Sequence, residues 1–232
     1  MGKRRGSIST PIIADGLMFN IDAANRASYI PDTTTTYNTM DFSQSGSLFE
    51  GVGFVGPPTA SWLMDGTDDY MLKGPSTTVP NQFTFSVWYK PTDLTGEGYG
   101  YFLSYDVPAS GNDKGFAIDE GGGVIGAGKC YYYNGGGSPT TIATTALSVN
   151  TWACLTFVTD VTGNEIKFYL NGLLDKTTTQ TLISTTYNYM GTWGTTDTHY
   201  LKGQLANAHI YNRALSTSEV LHNYNALKGR FA

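Results

Sequence analysis

Glu165-Ile-Lys-Phe-Tyr-Leu-Asn-Gly-Leu-Leu174 is the stretch on which the fold turns. Ile166, Phe168 and Leu170 alternate with Lys167 and Tyr169, the period of two that sends successive side chains to opposite faces of a strand. Asn171-Gly172 then supplies a pair suited to a two-residue type I′ turn, whose central residues both need positive φ. Leu173 and Leu174 continue on the far side. Residues 164–178 therefore read as a β-hairpin.

The same alternation recurs outward from this hairpin. Phe83, Phe85, Val87 and Tyr89 alternate with Thr84, Ser86 and Trp88, and Leu17, Phe19 and Ile21 with Met18 and Asn20. Trp152-Ala-Cys-Leu-Thr-Phe-Val158 is a further run. Between such runs stand the clusters 51–58, 92–98, 108–115 and 134–139, rich in Gly, Pro, Asn and Asp, which punctuate strands rather than separate domains. One helix is expected near the end. Ser216-Thr-Ser-Glu219 fits a capping box, Leu215 and Val220 occupy the positions of a hydrophobic staple, and Val220, Leu221, Tyr224 and Leu227 form a helical stripe. Gly229 is placed to end it as a left-handed residue. The helix is expected to pack against one end of a sandwich. The layout is thus an arm over 1–14, a β-sandwich over 15–228 and a tail over 229–232.

Composition agrees. Charged residues make up 14% of the 232, against an average of about 25%, and the difference is filled by Thr, Ser and Asn with 28 Gly and 16 Tyr. Tyr and Thr suit half-buried strands. A net charge of −5 argues against nucleic-acid binding, which needs a cationic footprint. The basic run Lys3-Arg4-Arg5 reads either as a solvated terminus or as a short docking arm for a partner. No stretch approaches the roughly 20 apolar residues of a membrane span, and the first residues do not resemble a signal peptide. Cys130 and Cys154 read as buried thiols, with a single bridge between adjacent strands left open.

In their order along the chain, these segments resemble the concanavalin A-like lectin/glucanase superfamily in its laminin-G-like branch. Gly16–Asn25 looks like the family's opening strand and loop, and Met64-Asp-Gly-Thr-Asp-Asp-Tyr70 like its Phe-Asp-Gly-x-Asp-Asp-Tyr segment, with Met64 in place of the aromatic. Phe83–Trp88 resembles its Phe-Thr-x-Ser-x-Trp strand. Trp152 with Ile166–Gly172 resembles its Trp-initiated strand and Asn-Gly hairpin, and Gly203–Ser216 its closing strand and helix entry. The resemblance spans residues 15–228 and implies an all-β, two-sheet antiparallel jelly-roll sandwich with one short C-terminal helix.

The chemistry is sparser. The superfamily's Glu-x-Asp-x-x-Glu glycosidase signature is missing, and the adjacent Asp119 and Glu120 would point to opposite faces of a strand. Gly121-x-Gly-x-x-Gly126 formally matches a dinucleotide fingerprint but lacks the helix that should follow. His199, His209 and His222 have no zinc-ligand spacing. Asp65, Asp68 and Asp69 around Gly66 are candidate Ca²⁺ ligands, or else Asp65 and Asp68 build the turn through side-chain-to-backbone bonds. Glycan recognition needs aromatic faces with nearby amides or carboxylates. Tyr131, Tyr132, Tyr133 and Asn134 form one candidate segment, and Tyr189–His199, with Trp193, Thr195, Asp197 and His199, the other. Trp88 and Trp152 are expected in the core.

The expected function is that of a non-enzymatic virion surface or attachment protein, a homo-oligomer meeting host-surface glycans or other virion proteins. The alternative is a capsid decoration or fibre module without glycan affinity; a glycan hydrolase is the third reading. No nucleic acid, membrane insertion or cofactor other than Ca²⁺ is expected.

Overall fold

A computed structural model describes residues 11–80, 82–96, 98–105, 114–123, 125–134, 139–160, 162, 164–179, 185–194 and 199–231. The early strands are β1 (Leu17–Asp22), β2 (Thr35–Tyr37), β3 (Ser45–Phe49), β4 (Gly53–Val55), β5 (Ser61–Asp65) and β6 (Tyr70–Val79). The middle ones are β7 (Phe83–Pro91), β8 (Tyr99–Tyr105), β9 (Lys114–Asp119), β10 (Lys129–Tyr133) and β11 (Pro139–Ala146). Then come β12 (Ala153–Asp160), β13 (Glu165–Leu170), β14 (Leu173–Thr179), β15 (Thr185–Met190), β16 (Lys202–Tyr211) and α1 (Thr217–Leu227). They form two antiparallel eight-stranded sheets. In sheet A the order is β14-β13-β12-β7-β16-β5-β4, with β1 also paired to β16; in sheet B it is β11-β10-β9-β8-β15-β6-β3-β2. The jelly-roll sandwich expected from the residues is the fold found.

The hairpin that decided the reading forms as expected. Asn171 and Gly172 take φ of 52° and 79°, and Leu170 faces Leu173 across the turn. A side chain at position 172 would also strike Tyr224, where Cβ to Cβ would be 2.9 Å, so glycine is required twice over.

Alternation sorts the two faces of each sheet. Phe85, Phe102, Phe116, Phe157 and Phe168 meet between the sheets, with Phe116 and Phe157 centroids 4.6 Å apart and Phe157 and Phe168 5.1 Å apart. Removing one such ring costs about 3–5 kcal/mol. Tyr132 belongs to this core too, 5.0 Å from Phe116.

The opposite face of sheet A is also covered. Helix α1 does not cap an end of the sandwich; it lies across this outer face. Val220 and Leu215 bury Val158, Tyr169 and Tyr211, while Tyr224, Leu227 and Phe231 cover Trp88, Cys154 and Ala206. Strand β7 is therefore buried on both sides along nearly its whole length. Trp88 is buried as expected, but beneath the helix rather than between the sheets, and Trp152 is only half-buried beside it.

The capping box is present. Glu219 N–H donates to Ser216 Oγ and Ser216 N–H to Glu219 Oε2, while Arg213 forks onto both Glu219 oxygens at 3.0 and 2.7 Å. The helix end differs from expectation. Gly229 sits inside a 3₁₀ turn, Lys228–Arg230, and is not left-handed, because Lys228 continues with right-handed angles.

Residues 11–13 of the expected arm are tied down: Ile13 N–H donates to Asn223 Oδ1 at 2.8 Å, and its carbonyl accepts from Tyr211 Oη–H at 3.0 Å. Lys3, Arg4 and Arg5 lie outside the described residues. Cys130 is in the inter-sheet core and Cys154 beneath the helix, so they are buried, separate thiols, not a bridge. Among the described residues, no helix is long and apolar enough to cross a membrane.

Candidate functional site

The outer face of sheet B carries aromatic rings where sheet A carries its helix. On β8, Tyr99 and Tyr101 alternate outward while Phe102 enters the core; on β10, Tyr131 and Tyr133 alternate outward while Tyr132 points in. Trp193, in the loop after β15, folds back over them. Its ring lies 4.6 Å from Tyr101, edge-on, and 4.7 Å from Tyr133. Ser104, buried on β8, fixes that loop by donating to the carbonyls of Thr192 and Trp193 at 2.6 and 2.9 Å. Trp193 N–H donates to the carbonyl of His199, which brings the imidazole to 5.8 Å from the Trp193 ring and stacks it on Tyr99 at the same centroid distance.

The two aromatic segments singled out in the sequence therefore meet, though not every member is available to a ligand. Tyr131 and Tyr132 are each only 1% exposed. Tyr132 is core. Tyr131 faces outward but is roofed by Tyr99 and Tyr101, and burial pushes its hydroxyl pKa far up. Neither has a ring face to offer. Tyr133, Asn134, Trp193 and His199 are half-buried. Thr195 and Asp197 lie outside the described residues.

Sequence reasoning missed the rest of the strip. Half-buried Tyr70 and Tyr200 continue it across sheet B beside Tyr189, which the second candidate segment already held; Tyr70 lies 6.3 Å from Tyr189 and 6.5 Å from Tyr200, and stacks on Phe49 at 4.9 Å. The signal was available in Tyr99-Gly-Tyr101, whose spacing puts both rings on one face. It could not be distinguished from core alternation without knowing which face the second sheet covers.

At one end of the strip stands the acidic turn. Ligand oxygens of Asp65, Asp68 and Asp69 lie within 4.8 Å of one another. Asp65 Oδ1 accepts from Thr67 and Asp68 N–H at 2.7 and 3.4 Å, and Asp69 Oδ2 accepts from Asp65 N–H at 3.0 Å. Asp65 builds the turn as expected, but the second carboxylate bound to backbone N–H is Asp69 rather than Asp68, and oxygens of all three converge. Asp69 is buried, and that burial, with Asp65, Asp68 and Glu50 close by, pushes its carboxyl up to about 6 against the pull of the Asp65 N–H. The donor set is the hard-oxygen type that Ca²⁺ takes, and the clustered negative charge suits a cation.

Asp119 and Glu120 have structural partners. Asp119 Oδ1 accepts from Gly121 and Gly123 N–H, and Oδ2 from Ile125 and Gly126 N–H, at 2.9–3.2 Å. The apparent dinucleotide fingerprint is thus a loop wound around one buried carboxylate. Gly123 must be glycine because a Cβ there would sit 2.3 Å from Tyr99 and 2.5 Å from Asp119. Glu120 Oε1 accepts Lys202 N–H at 2.8 Å and the Tyr89 hydroxyl at 3.4 Å; its carboxyl is pushed up to about 7 by burial.

The family model Laminin_G_3, described as the concanavalin A-like lectin/glucanases superfamily, matches residues 65–221, taking in the acidic turn and both aromatic segments. No curated protein matches the sequence significantly. Among solved structures, the chain is similar to domain 4 of AbnA, a GH43 extracellular arabinanase from Geobacillus stearothermophilus, in complex with arabinotriose: 16% identity, 90% of this chain and 98% of that one, TM-score 0.64. It is similar to Trypanosoma rangeli sialidase in complex with sialic acid at 13% identity, over 97% of this chain and 36% of that one, TM-score 0.68. For the binding domain of botulinum neurotoxin serotype D the figures are 12% identity, 92% and 52%, TM-score 0.66. At these identities the likeness establishes the fold, which is shared by parts of glycosidases and by binding domains alike.

Proposed function

The chain belongs to the concanavalin A-like lectin/glucanases superfamily, and on that premise we propose that it is a non-catalytic glycan-recognition module. The observation that carries this reading is the row of half-buried rings, Tyr133, Trp193, His199 and Tyr99, on the outer face of sheet B. Flat aromatic faces take up the C–H faces of sugar rings, and the adjoining Asn134 amide supplies a hydrogen-bonding group for hydroxyls. Ser104, buried beneath the strip, positions Trp193 through its carbonyl. Tyr70 and Tyr200 extend the surface toward the acidic turn, so an oligosaccharide rather than a single sugar is the fitting ligand.

Asp65, Asp68 and Asp69 would hold a Ca²⁺ ion at the end of this strip, where it would neutralise the turn and offer coordination to sugar hydroxyls. The abundant Thr, Tyr and Gly and the few charges suit a protein exposed outside cells; we place the module on a virion surface, as a homo-oligomer contacting host glycans or neighbouring virion proteins. Arabinotriose and sialic acid accompany two structures that include this fold, as the whole of one and about a third of the other, which makes sugars the first ligands to try.

A glycan array probed with the wild type and Trp193→Ala, with calcium and then with chelator, tests the reading. Binding lost in the variant supports it. Silence of the wild type on every glycan rejects it in favour of a structural module held by protein contacts.

A further inference from the structure

On the opposite side of the molecule, between sheet A and the end of α1, lies a cleft of about 290 Å³. Its walls are Trp88, Trp152, Tyr224 and Phe231, and its polar lining is Asn171 and Lys228. Phe231 stacks on Trp88 with centroids 4.0 Å apart and stands 5.0 Å from Trp152. The volume is near the lower end of the roughly 300–1,000 Å³ of small-molecule sites, suited to one ring rather than a polymer segment.

The polar groups here have a consistent character. Lys228 Nζ lies 5.5 Å from the Tyr224 ring centroid and Lys90 Nζ 5.4 Å from that of Trp152, so two ammonium groups stand at the aromatic walls. Asn171 Oδ1 is taken by Cys154 N–H at 2.9 Å, which leaves its NH₂ as the group for a ligand. The buried Trp88 Nε1–H has no acceptor among the described residues. Among the described residues, no carboxylate side chain lines the cleft. On a chain of net charge −5, this is a donor-rich, cationic pocket with aromatic walls.

We propose that this cleft is a second binding site, which takes a single acidic sugar residue bearing a carboxylate or a sulfate. The sugar ring would pack on Trp152 and Tyr224, with its anionic group drawn by Lys228 and Lys90. The charge complementarity selects against neutral sugars, whereas the strip on sheet B carries no lysine among the rings described above. The proposal is independent of that strip, since the two lie on opposite sheets.

Gly229 provides a clean steric test. A Cβ there would meet nothing within 4 Å, and its φ is not left-handed, so Gly229→Leu fills space beside the cleft without straining the fold. Tryptophan fluorescence and calorimetry would be followed while adding trigalacturonate as the carboxylate probe, a heparin-derived tetrasaccharide as the sulfate probe, and galactotriose as the neutral control. The expected result is saturable binding of one or both acidic probes, at least tenfold tighter than the neutral one. It should weaken tenfold or more in Gly229→Leu and in Lys228→Ala, with Tm unchanged, and persist in Trp193→Ala. Whichever acidic probe binds identifies the source of the charge. Equal binding of the neutral probe, no binding of either acidic probe, or acidic binding that survives both cleft variants would overturn the proposal. Acidic binding lost only in Trp193→Ala would assign it to the strip on sheet B instead.

Discussion

Tyr133 and Trp193 meet with ring centroids 4.7 Å apart, although one ends β10 and the other follows β15 across the sheet. Each remains half-buried, so the pair presents ring surface to solvent above a buried tyrosine layer. Trp193→Ala removes the exposed wall but no core contact between the sheets. Glycan affinity is expected to fall tenfold or more, about 1.4 kcal/mol, with Tm nearly unchanged. Tyr131→Ala should do the reverse. Its ring is 1% exposed beneath Tyr99 and Tyr101, so the variant should lose roughly 3–5 kcal/mol of stability by urea denaturation. Equal losses of affinity without loss of stability would refute this division of roles.

Glu120 makes the fold less stable as pH rises. Its folded carboxyl is raised to about 7 from an ordinary 4.5, chiefly by burial, so the folded state holds a proton that the unfolded state has released between those values. Stability from this group is complete below pH 4.5 and falls as pH climbs through 7. Both of its hydrogen bonds go to Oε1, which Gln would retain. Glu120→Gln should therefore match the wild type near pH 4 and exceed it at pH 8, on the order of 2–3 kcal/mol. Parallel urea titrations at the two pH values check this; a variant weaker at pH 8 would contradict it.

Asp119→Asn has the opposite sign. Four backbone N–H groups converge on the two carboxylate oxygens, and an amide turns one of those acceptors into a donor. Two of the N–H groups would then face an NH₂. A loss of about 3 kcal/mol or more is expected. Because the loop carries Ile125 into the cluster of Tyr99 and Trp193, glycan affinity should weaken as well. A Tm within a degree of wild type would show that the loop holds without this carboxylate.

What could be read from the residues was local. The Asn171-Gly172 turn and the Ser216–Glu219 box are each specified within a few positions, and both form as expected. Facing was harder. Tyr131, Tyr132 and Tyr133 are chemically alike, so alternation says that they diverge but not which one enters the core; that depends on Phe116 of the neighbouring strand. Trp88 reads as core, yet nothing near it in sequence announces that α1, not the second sheet, will cover it. The same blindness hid Tyr70, Tyr99 and Tyr200, which became part of a site only when β6, β8 and the segment before β16 came together.

The acidic turn gives a test in which pH and calcium oppose each other. Asp69 is raised to about 6, so its folded form holds a proton more tightly than the unfolded chain, and the turn loses stability as pH rises from about 4 through 6. Calcium would need the carboxylate ionised, and would offset the repulsion among Asp65, Asp68 and Asp69 where it is greatest. At pH 7.5, calcium at about 100 times its Kd should add about 2.7 kcal/mol. For a domain of this size that is a rise in Tm of roughly 5–10 °C over the value in chelator. At pH 5 protons compete for Asp69, and the rise should shrink. Asp65→Asn leaves Oδ1 to accept from Thr67 N–H but lowers the charge, so it should keep the turn and lose most of the calcium response. A Tm indifferent to calcium at both pH values would mean that the three carboxylates serve the turn alone, and any glycan binding by the strip must then proceed without a metal.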